Sequence, residues 1–334
     1  LEEMMMTKGI KKLLDYCLGL KAGEEALVIT DTGMDPKIPN LFAIMAAERG
    51  ADVALMTISP RPFQGSEPPR HVAGAMKNCD AIIETTSVFI GHSIARFDAL
   101  KAGTRWLCCT CITPAILAGP SGLDMDFEAL KPMVDKIVEL ETKAKHVKVT
   151  TKEGTNFTAR LEGRQARGLH GLVRNPGEFQ APPNVESSIS PIESSVNGVV
   201  VITGFADMGG GVVKEPIKIT VKDGKAFKIE GGREAEAVRS TLEATGNPDA
   251  YTVSEFGIGL NPKSILQHNS ICECEGVFGS AHIALGTSPW PEVNLMTPIH
   301  MDLVFLRATV ELDGKVILQD GQPIPELMEL IRPY

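Results

Sequence analysis

A histidine and an aspartate lie two residues apart in the apolar segment 297–305, as His300 and Asp302. The segment is predicted to form a buried β-strand, and side chains at positions i and i+2 of a strand point to the same face. The imidazole and the carboxylate would therefore be neighbours in surroundings where an unpaired charge is costly. Either the two side chains form an ion pair, or a divalent metal ion binds to both.

Three further residues of metal-ligating type lie beside apolar segments. His282 stands between small residues and an apolar run, Glu255 begins an apolar strand, and Glu178 follows a Pro-Gly turn. Each also has an ordinary structural interpretation, as a hydrogen-bonded core histidine or a solvated strand end. Glu186 and Glu193 are interpreted as solvated strand ends, although the loop that carries them could line a cleft.

Two histidines and three carboxylates define the chemistry to consider. Imidazole and carboxylate together suit zinc, iron, manganese or cobalt. Two histidines and one carboxylate, with open coordination positions, are the usual ligands of non-haem iron(II) in oxygen chemistry. The full set could instead hold two metal ions about 3.5–4 Å apart, bridged by a carboxylate, for hydrolysis. Residue spacing alone leaves these alternatives, and a structural ion pair, open.

Two other histidines are candidates for proton transfer. His92 follows a strand of the first half, where the loops of a doubly wound sheet face a crevice. His170 lies in a glycine-containing segment that lets the backbone turn closely. Either imidazole could act as a general acid or base because it titrates near neutrality. The alternative for both is an ordinary surface histidine.

Composition limits the classes of protein to consider. The chain has 334 residues, which suggests two domains. A net charge of −9 without a Lys/Arg-rich run argues against nucleic-acid binding. No apolar run is long enough for a transmembrane helix, and the start lacks the order of a signal peptide. Five of the seven cysteines cluster at 108–111 and 272–274. The cysteines are interpreted as buried reduced thiols rather than a soft-metal or redox site, so we expect a cytoplasmic protein.

The pattern of elements changes near residue 146. Apolar strands alternate with helices over residues 1–145, which predicts a doubly wound parallel sheet, yet no nucleotide-binding glycine motif is present. Beyond that point the strands alternate with period two and are joined by Asp-Gly turns, a strong hairpin signal. We therefore predict an α/β domain over 1–145 and a mainly antiparallel α+β metal-site domain over 146–334.

Five motifs follow one another along the second half of the chain. They are Asn175-Pro-Gly-Glu-Phe-Gln-Ala-Pro182, Ser195-Val-Asn-Gly-Val-Val200, Glu255-Phe-Gly-Ile-Gly-Leu-Asn-Pro262, Ala281-His-Ile-Ala-Leu-Gly286 and His300-Met-Asp302. Their order resembles the thermophilic leucyl-aminopeptidase family of metallopeptidases. It resembles more closely the related 2,5-dihydroxypyridine 5,6-dioxygenases, which open a hydroxylated pyridine ring with iron(II) and oxygen.

The peptidase resemblance implies a two-metal centre. Its ligands would match Glu178, Glu255, His282, His300 and Asp302, all of which are present. The metals would be zinc, cobalt or manganese ions that activate water for peptide hydrolysis.

The dioxygenase resemblance implies a single iron(II). A histidine–x–aspartate pair would hold it together with another histidine, and His300 and Asp302 match the pair. His282 is our choice for the third ligand, and Glu255 is the competitor. Histidines matching His92 and His170 would contact the ring substrate and move protons.

The two families require different metal sites, with two ions for hydrolysis and one iron for ring opening. The full carboxylate set favours hydrolysis, and Glu255 is a residue that a single-iron dioxygenase does not obviously need. The compact length, the glycine-rich turn 208–211, the hairpin around Asp223 and the two further histidines favour the dioxygenase.

We therefore predict an iron(II) ring-cleaving dioxygenase that acts on a small hydroxylated N-heteroaromatic substrate. The alternatives are a two-metal leucyl aminopeptidase-type hydrolase and a non-catalytic metal-binding scaffold. The resemblance also implies a homo-oligomer.

Overall fold

A computed structural model describes residues 2–290 and 292–331. These residues form two compact units. The first unit contains the chain up to Asp124 together with Gly171–Pro183, and the second contains Met125–His170 together with the chain from Asn184 onward.

The elements are numbered in chain order within the described residues. The strands are β1 Glu25–Asp31, β2 Asp52–Ile58, β3 Ala81–Thr85, β4 Arg105–Cys108, β5 His146–Thr150, β6 Asn156–Arg160, β7 Arg167–Leu169, β8 Phe179–Gln180, β9 Glu186–Ile189, β10 Asn197–Ile202, β11 Phe205–Ala206, β12 Gly211–Val212, β13 Ile217–Lys222, β14 Lys225–Glu230, β15 Val253–Gly259, β16 Ala281–Gly286, β17 His300–Phe305, β18 Thr309–Leu312, β19 Lys315–Gln319 and β20 Gln322–Pro323. The α-helices are α1 Glu2–Lys11, α2 Lys37–Glu48, α3 Arg70–Met76, α4 Ile94–Lys101, α5 Pro114–Ala118, α6 Phe127–Lys143, α7 Arg233–Ala244, α8 Ile271–Cys274 and α9 Pro325–Met328. A π-helical segment covers Lys12–Leu18, and 3-10 turns cover Gly122–Asp124, Pro248–Tyr251 and Leu266–His268.

The first unit contains a parallel five-stranded sheet in the order β2-β1-β3-β4-β8. Its inner strands are apolar runs that are buried almost throughout, as expected when helices cover both faces of a parallel sheet. Helix α4, which was not expected from the sequence, begins after Ser93, whose hydroxyl accepts a hydrogen bond from the backbone N–H of Arg96 at 3.3 Å. The predicted doubly wound parallel sheet is confirmed.

The second unit contains two antiparallel sheets. The eight-stranded sheet has the order β14-β13-β10-β6-β5-β18-β19-β20, and the seven-stranded sheet has the order β12-β11-β17-β16-β15-β9-β7. Phe157 of the first of these sheets packs edge-on against Phe256 and Phe305 of the other, with ring centroids 6.1 and 6.4 Å apart. The predicted antiparallel second half is therefore confirmed.

The central strands of the seven-stranded sheet are buried on both faces. Every residue of β15, β16 and β17 is buried. Side chains on one face, such as Phe256, Ile283 and Leu303, are apolar and belong to the core. The other face carries carboxylates and imidazoles, although it is equally shielded from water.

Several boundaries differ from the sequence-based expectation. Helix α6 belongs by its contacts to the second unit, because it packs on β7 and β9, whereas the expected division at 145/146 assigned it to the first half. The segment 171–183 belongs to the first unit because it carries β8. The strand predicted over 297–305 is β17, which begins only at His300 and ends at Phe305, and Arg307 adopts a positive φ of 55° before β18 begins. In the part of the chain that the structure describes, no helix is both long and apolar enough to cross a membrane.

Candidate metal centre

Five ionisable side chains converge on the polar face of the seven-stranded sheet. All five are buried, with at most 5% of each residue exposed. They come from four neighbouring strands, and the two members of the His-x-Asp motif lie on the same strand, as the i, i+2 spacing predicts. The residues are Glu186 on β9, Glu255 on β15, His282 on β16, and His300 and Asp302 on β17.

Small residues on adjacent strands make room for these side chains. Ala284 pairs with both Glu255 and Asp302, and Gly286 pairs with His300. Cross-strand partners point to the same face, so each ionisable group stands beside a methyl group or a hydrogen. The result is a recess in the sheet into which the carboxylates and imidazoles project.

The tightest of these arrangements joins Gly257 to His282. The two residues are paired, and a Cβ atom built at Gly257 would lie 2.2 Å from Cε1 of the imidazole. The ring therefore lies directly over the glycine backbone, where no other residue type fits. A register shift between Val253 and Glu255 re-aims the glutamate toward the polar face, a common use of β-bulges beside functional sites.

The distances divide the five side chains into two adjoining groups. Nε2 of His300 lies 3.3 Å from Oδ1 of Asp302 and 3.5 Å from Oε2 of Glu255. Nε2 of His282 lies 3.7 Å from Oε2 of Glu186 and 3.9 Å from Oε1 of Glu255. Within each group the candidate ligand atoms all lie within 4.8 Å of one another. Glu255 belongs to both groups and turns one carboxylate oxygen toward each.

The imidazole of His300 is oriented by a second contact. Its Nδ1 donates a hydrogen bond of 2.7 Å to the backbone carbonyl of Thr287. This contact fixes the tautomer and leaves Nε2 facing the carboxylates. Metal-ligating histidines commonly make such a hydrogen bond through the nitrogen that does not bind the metal.

The carboxylates of the cluster raise the pKa of both imidazoles. Burial disfavours a charged His282, but Glu186 and Glu255 outweigh it and raise its pKa to about 9. Burial likewise opposes a charged His300, but Asp302 raises its pKa to about 10. Burial raises the pKa of Glu186 to about 7, and the charge of Glu255 adds to the rise. Without a metal, the carboxylates hold protons on both imidazoles.

A divalent cation fits this donor set. Among the described residues, Oε2 of Glu186 and Nδ1 of His282 are buried and have no hydrogen-bond partner. A buried charge without a partner is costly, and mixed carboxylate and imidazole donors are those of zinc, iron, manganese and cobalt sites. The cluster is therefore a candidate metal centre.

Glu275 contacts Asp302 of the cluster. The residue is half-buried, and the loss of water around its carboxyl together with the charge of Asp302 raises its pKa well above the usual range. It therefore carries a proton and interacts with Asp302 by a hydrogen bond, while its Oε2 accepts a hydrogen bond of 2.9 Å from Nδ2 of Asn184. Neither Glu275 nor Asn184 was singled out in the sequence.

The remaining predicted site residues lie outside this cluster. Glu178 belongs to the first unit, and its carboxylate accepts hydrogen bonds of 2.5–2.8 Å from Arg174 and Asn175 in its own turn. His92 also belongs to the first unit, where its half-buried ring lies edge-on against Phe89 with centroids 4.6 Å apart. His170 is a half-buried residue of the second unit.

One residue of the cluster was misjudged from the sequence. Glu186 was expected to be a solvated strand end, but only 4% of it is exposed and it groups with Glu255 and His282. Its strand has the polar sequence Glu-Ser-Ser-Ile and is buried because β7 and β15 flank it. The only local signal for a polar strand face was that Glu186 and Ser188, two residues apart, are both polar. Glu193 agrees with expectation, since its half-exposed carboxylate lies 2.7 Å from Arg164.

Comparison with known proteins agrees with the resemblance drawn from the five motifs. The family model described as NicX, 2,5-dihydroxypyridine 5,6-dioxygenase, matches residues 5–325. The 2,5-dihydroxypyridine 5,6-dioxygenase of Pseudomonas putida KT2440 is 25% identical over 264 residues, which cover 75% of this chain and 72% of that protein.

Two solved structures share the fold. The structure of the 2,5-dihydroxypyridine dioxygenase from Pseudomonas putida KT2440 has a TM-score of 0.81 at 21% identity and covers 97% of this chain and 98% of that chain. Wild-type AmpT from Thermus thermophilus has a TM-score of 0.69 at 16% identity and covers 96% and 99%. Because the family model spans nearly the whole sequence, this chain belongs to the 2,5-dihydroxypyridine 5,6-dioxygenase family.

Proposed function

We propose that this chain is a metal-dependent dioxygenase that opens the ring of a small hydroxylated N-heteroaromatic compound, with iron(II) as its metal. The observation that carries the proposal is a buried carboxylate–imidazole cluster with two groups of closely spaced ligand atoms, in a chain matched over residues 5–325 by the dioxygenase family. Among the described residues, Oε2 of Glu186 and Nδ1 of His282 have no hydrogen-bond partner in this cluster. The cluster supplies the donors that an iron site needs, and family membership supports the reaction class.

In this proposal His300, Asp302 and Glu255 hold the iron. The distances support Glu255 as third ligand over the expected His282, because Glu255 lies 3.5 Å from His300 while His282 groups with Glu186. One histidine and two carboxylates depart from the usual two-histidine, one-carboxylate set of oxygen-activating iron. His282 would then bind a second ion or contact the substrate.

The residues around the iron have separable roles. Iron(II), when bound, supplies the electron transfer to oxygen that amino-acid side chains do not provide. The Thr287 carbonyl holds Nε2 of His300 toward the metal position, and the protonated carboxyl of Glu275 restrains Asp302. Burial of the whole set keeps bulk water away from the reacting centre.

Proton transfer is assigned to His92 and His170 as part of the same proposal. Both rings are half-buried, so they combine access to solvent with a defined position. If either is the general acid or base, its replacement by alanine removes one limb of the pH profile of kcat and leaves metal content unchanged.

Oxygen consumption tests the proposed function. The protein is loaded anaerobically with iron(II), mixed with 2,5-dihydroxypyridine and exposed to oxygen. We expect stoichiometric oxygen uptake and loss of the ring absorbance, both absent from the zinc-loaded protein. Iron binding without any oxygen uptake would contradict the proposal for this substrate class.

A second candidate function is hydrolysis by two zinc, cobalt or manganese ions. The observation that favours it is the position of Glu255, whose Oε1 faces His282 and whose Oε2 faces His300, as in a carboxylate that bridges two ions. Two ions per chain, with release of p-nitroaniline from leucyl-p-nitroanilide, would favour the hydrolase and exclude a single-iron site. Metal binding with neither activity would favour a non-catalytic scaffold.

Location and assembly belong to the same proposal. Cys17, Cys272 and Cys274 are buried thiols, which is compatible with the expected reducing compartment. We expect a cytoplasmic homo-oligomer, and light scattering on the purified protein measures its assembly state.

A further inference from the structure

A half-buried arginine lies on the same face of the seven-stranded sheet as the metal-ligating side chains. Arg167 of β7 pairs with Ser188 of β9, Ser188 pairs with Gly257 of β15, and Gly257 pairs with His282 of β16. Because cross-strand partners point to the same face, these four residues form one row across the sheet.

The neighbouring residue confirms this orientation. A Cβ atom built at Gly168 would lie 2.7 Å from Cγ1 of Val134, so Gly168 faces helix α6. Successive residues of a strand point to opposite faces, and Arg167 therefore points away from the helix and toward the polar face. Glu255 of the candidate metal centre is among the groups whose charge acts on the guanidinium.

Only small residues stand between the arginine and the cluster. Three strand spacings of about 4.8 Å place the backbones of Arg167 and His282 about 14 Å apart. Ser188 and Gly257 occupy the positions between them and fill little of that space. A backbone separation of about 14 Å is compatible with one small ring or a short peptide between the two side chains.

The guanidinium is held in place but retains donors. It stacks over Trp290, 5.3 Å from the ring centroid, and its Nη1 donates a hydrogen bond of 3.0 Å to the Pro289 carbonyl. Among the described residues this is its one hydrogen bond, although a guanidinium carries five N–H donors. The half-exposed carboxylate of Glu292 lies 3.7 Å away, so a carboxylate reaches this group from solvent.

We propose that Arg167 binds a carboxylate of the substrate, at the end of the molecule remote from the metal centre. A cluster of buried carboxylates repels an anionic substrate, and a fixed guanidinium on the same face offsets that repulsion with paired hydrogen bonds. The substrate class is then a hydroxylated N-heteroaromatic ring that carries a carboxylate. The inference rests on the proposed function only in taking the cluster as the reacting site.

Matched ligand pairs test the assignment. Anaerobic calorimetry on the iron(II)-loaded protein compares 2,5-dihydroxypyridine with 2,5-dihydroxypyridine-3-carboxylate, and calorimetry on the cobalt-loaded protein compares leucylglycinamide with leucylglycine. We expect the carboxylate to strengthen binding about ten- to a hundredfold in at least one pair, as charge-assisted hydrogen bonds do. Arg167→Gln should remove the preference and Arg167→Lys should keep part of it.

The controls separate the possible failures. Arg160→Gln removes an exposed arginine of β6 and should leave the preference unchanged. Thermal unfolding of each variant shows whether the substitution has weakened packing on Trp290. The comparison of the two ligands of each pair on wild-type protein does not depend on any variant. Stronger binding of the carboxylate in the peptide pair alone would support carboxylate binding by Arg167 and would contradict the proposed ring-opening function. No preference in either pair, or equal weakening of both members by Arg167→Gln, would overturn the inference.

Discussion

Both units of the molecule bury carboxylates, but the carboxylates of the two units differ in the hydrogen bonds that they accept. In the first unit Glu84 is fully buried and accepts hydrogen bonds of 2.7–3.0 Å from Thr86, Thr110, the backbone of Ile90 and the indole of Trp106. Burial raises its pKa, while these donors stabilise the ionised carboxylate and oppose that rise. Glu84 is tied to β4 and to the loop that follows β3, and it leaves nothing for a ligand to satisfy.

In the second unit the buried carboxylates face imidazoles and one another. Glu186 directs Oε2 toward His282 at 3.7 Å, and within the described residues that oxygen accepts no hydrogen bond. Burial alone therefore does not identify a site, because Glu84 is the more deeply buried of the two. The absence of protein donors distinguishes a carboxylate that awaits a cation from one that supports the fold.

The largest expected effect comes from Glu255→Gln, which removes the carboxylate shared by both groups. We expect metal affinity and kcat/KM to fall by more than about a hundredfold, beyond the cost of losing an outer-shell partner. Metal-free Glu255→Gln should be less stable than metal-free wild type, since the two protonated imidazoles lose the carboxylate that faces both of them. Metal analysis, oxygen uptake and denaturant unfolding measure the three quantities; a metal affinity equal to that of wild type would contradict the account.

Gly257→Ala tests the fit of His282 within the same region. The added methyl group needs the space of the imidazole, 2.2 Å from Cε1, so the ring must move. We expect metal affinity to fall by about ten- to a hundredfold, because the moved ring disturbs Glu255, which lies 3.9 Å from Nε2 of His282. Gly74→Ala is the matched control, because a Cβ at Gly74 meets no atom within 4 Å. Equal metal affinity in both variants would show that His282 neither binds nor positions the metal.

Glu84→Gln tests the other side of the comparison. The amide leaves some of the four donors unmatched, so we expect the free energy of unfolding to fall by about 1–3 kcal/mol. Metal content should be unchanged, because Glu84 belongs to the first unit. A Glu84→Gln protein that loses its metal would erase the distinction between the two kinds of buried carboxylate.

The smallest expected effect is on the pH dependence of the metal-free protein. His282 and His300, with pKa values of about 9 and 10, stabilise the fold below their unfolded value of about 6.5, and that contribution is lost as pH rises through the folded values. Glu186 and Glu141, raised by burial to about 7 and 8, act in the same direction.

We therefore expect the stability of the metal-free protein to fall as the pH rises from 7 to 10. The metal-loaded protein should show no such fall, since binding removes these protons. Thermal unfolding with and without metal across this range is the measurement, and parallel curves would contradict the charge account.

Local patterns in the sequence predicted those features that depend on near neighbours. The spacing of His300 and Asp302 predicted a shared face, and their 3.3 Å approach follows from strand periodicity alone. The two kinds of sheet followed from the change in periodicity near residue 146. The burial of Glu186 was not predictable, because β7 and β15, which flank its strand, are distant in sequence.

The positions of Glu255, Glu178 and Arg167 depend on backbone geometry that the residue pattern does not indicate. The register shift before Glu255 decides which face receives the carboxylate. A Pro-Gly turn suggested that Glu178 is presented to a ligand, yet backbone N–H groups of the same turn occupy its oxygens. Arg167 drew no attention in the sequence, since its importance arises only from the row that it shares with His282.

Metal content of the double variant His300→Ala/Asp302→Ala tests the central claim most directly. The protein and wild type are purified anaerobically, loaded with iron(II) or cobalt(II), desalted and analysed for metal per chain. If the buried carboxylate–imidazole cluster is a metal centre, wild type retains at least one ion per chain and the double variant, folded by circular dichroism, loses the ion held by this pair. Equal metal content in the two proteins would contradict the account.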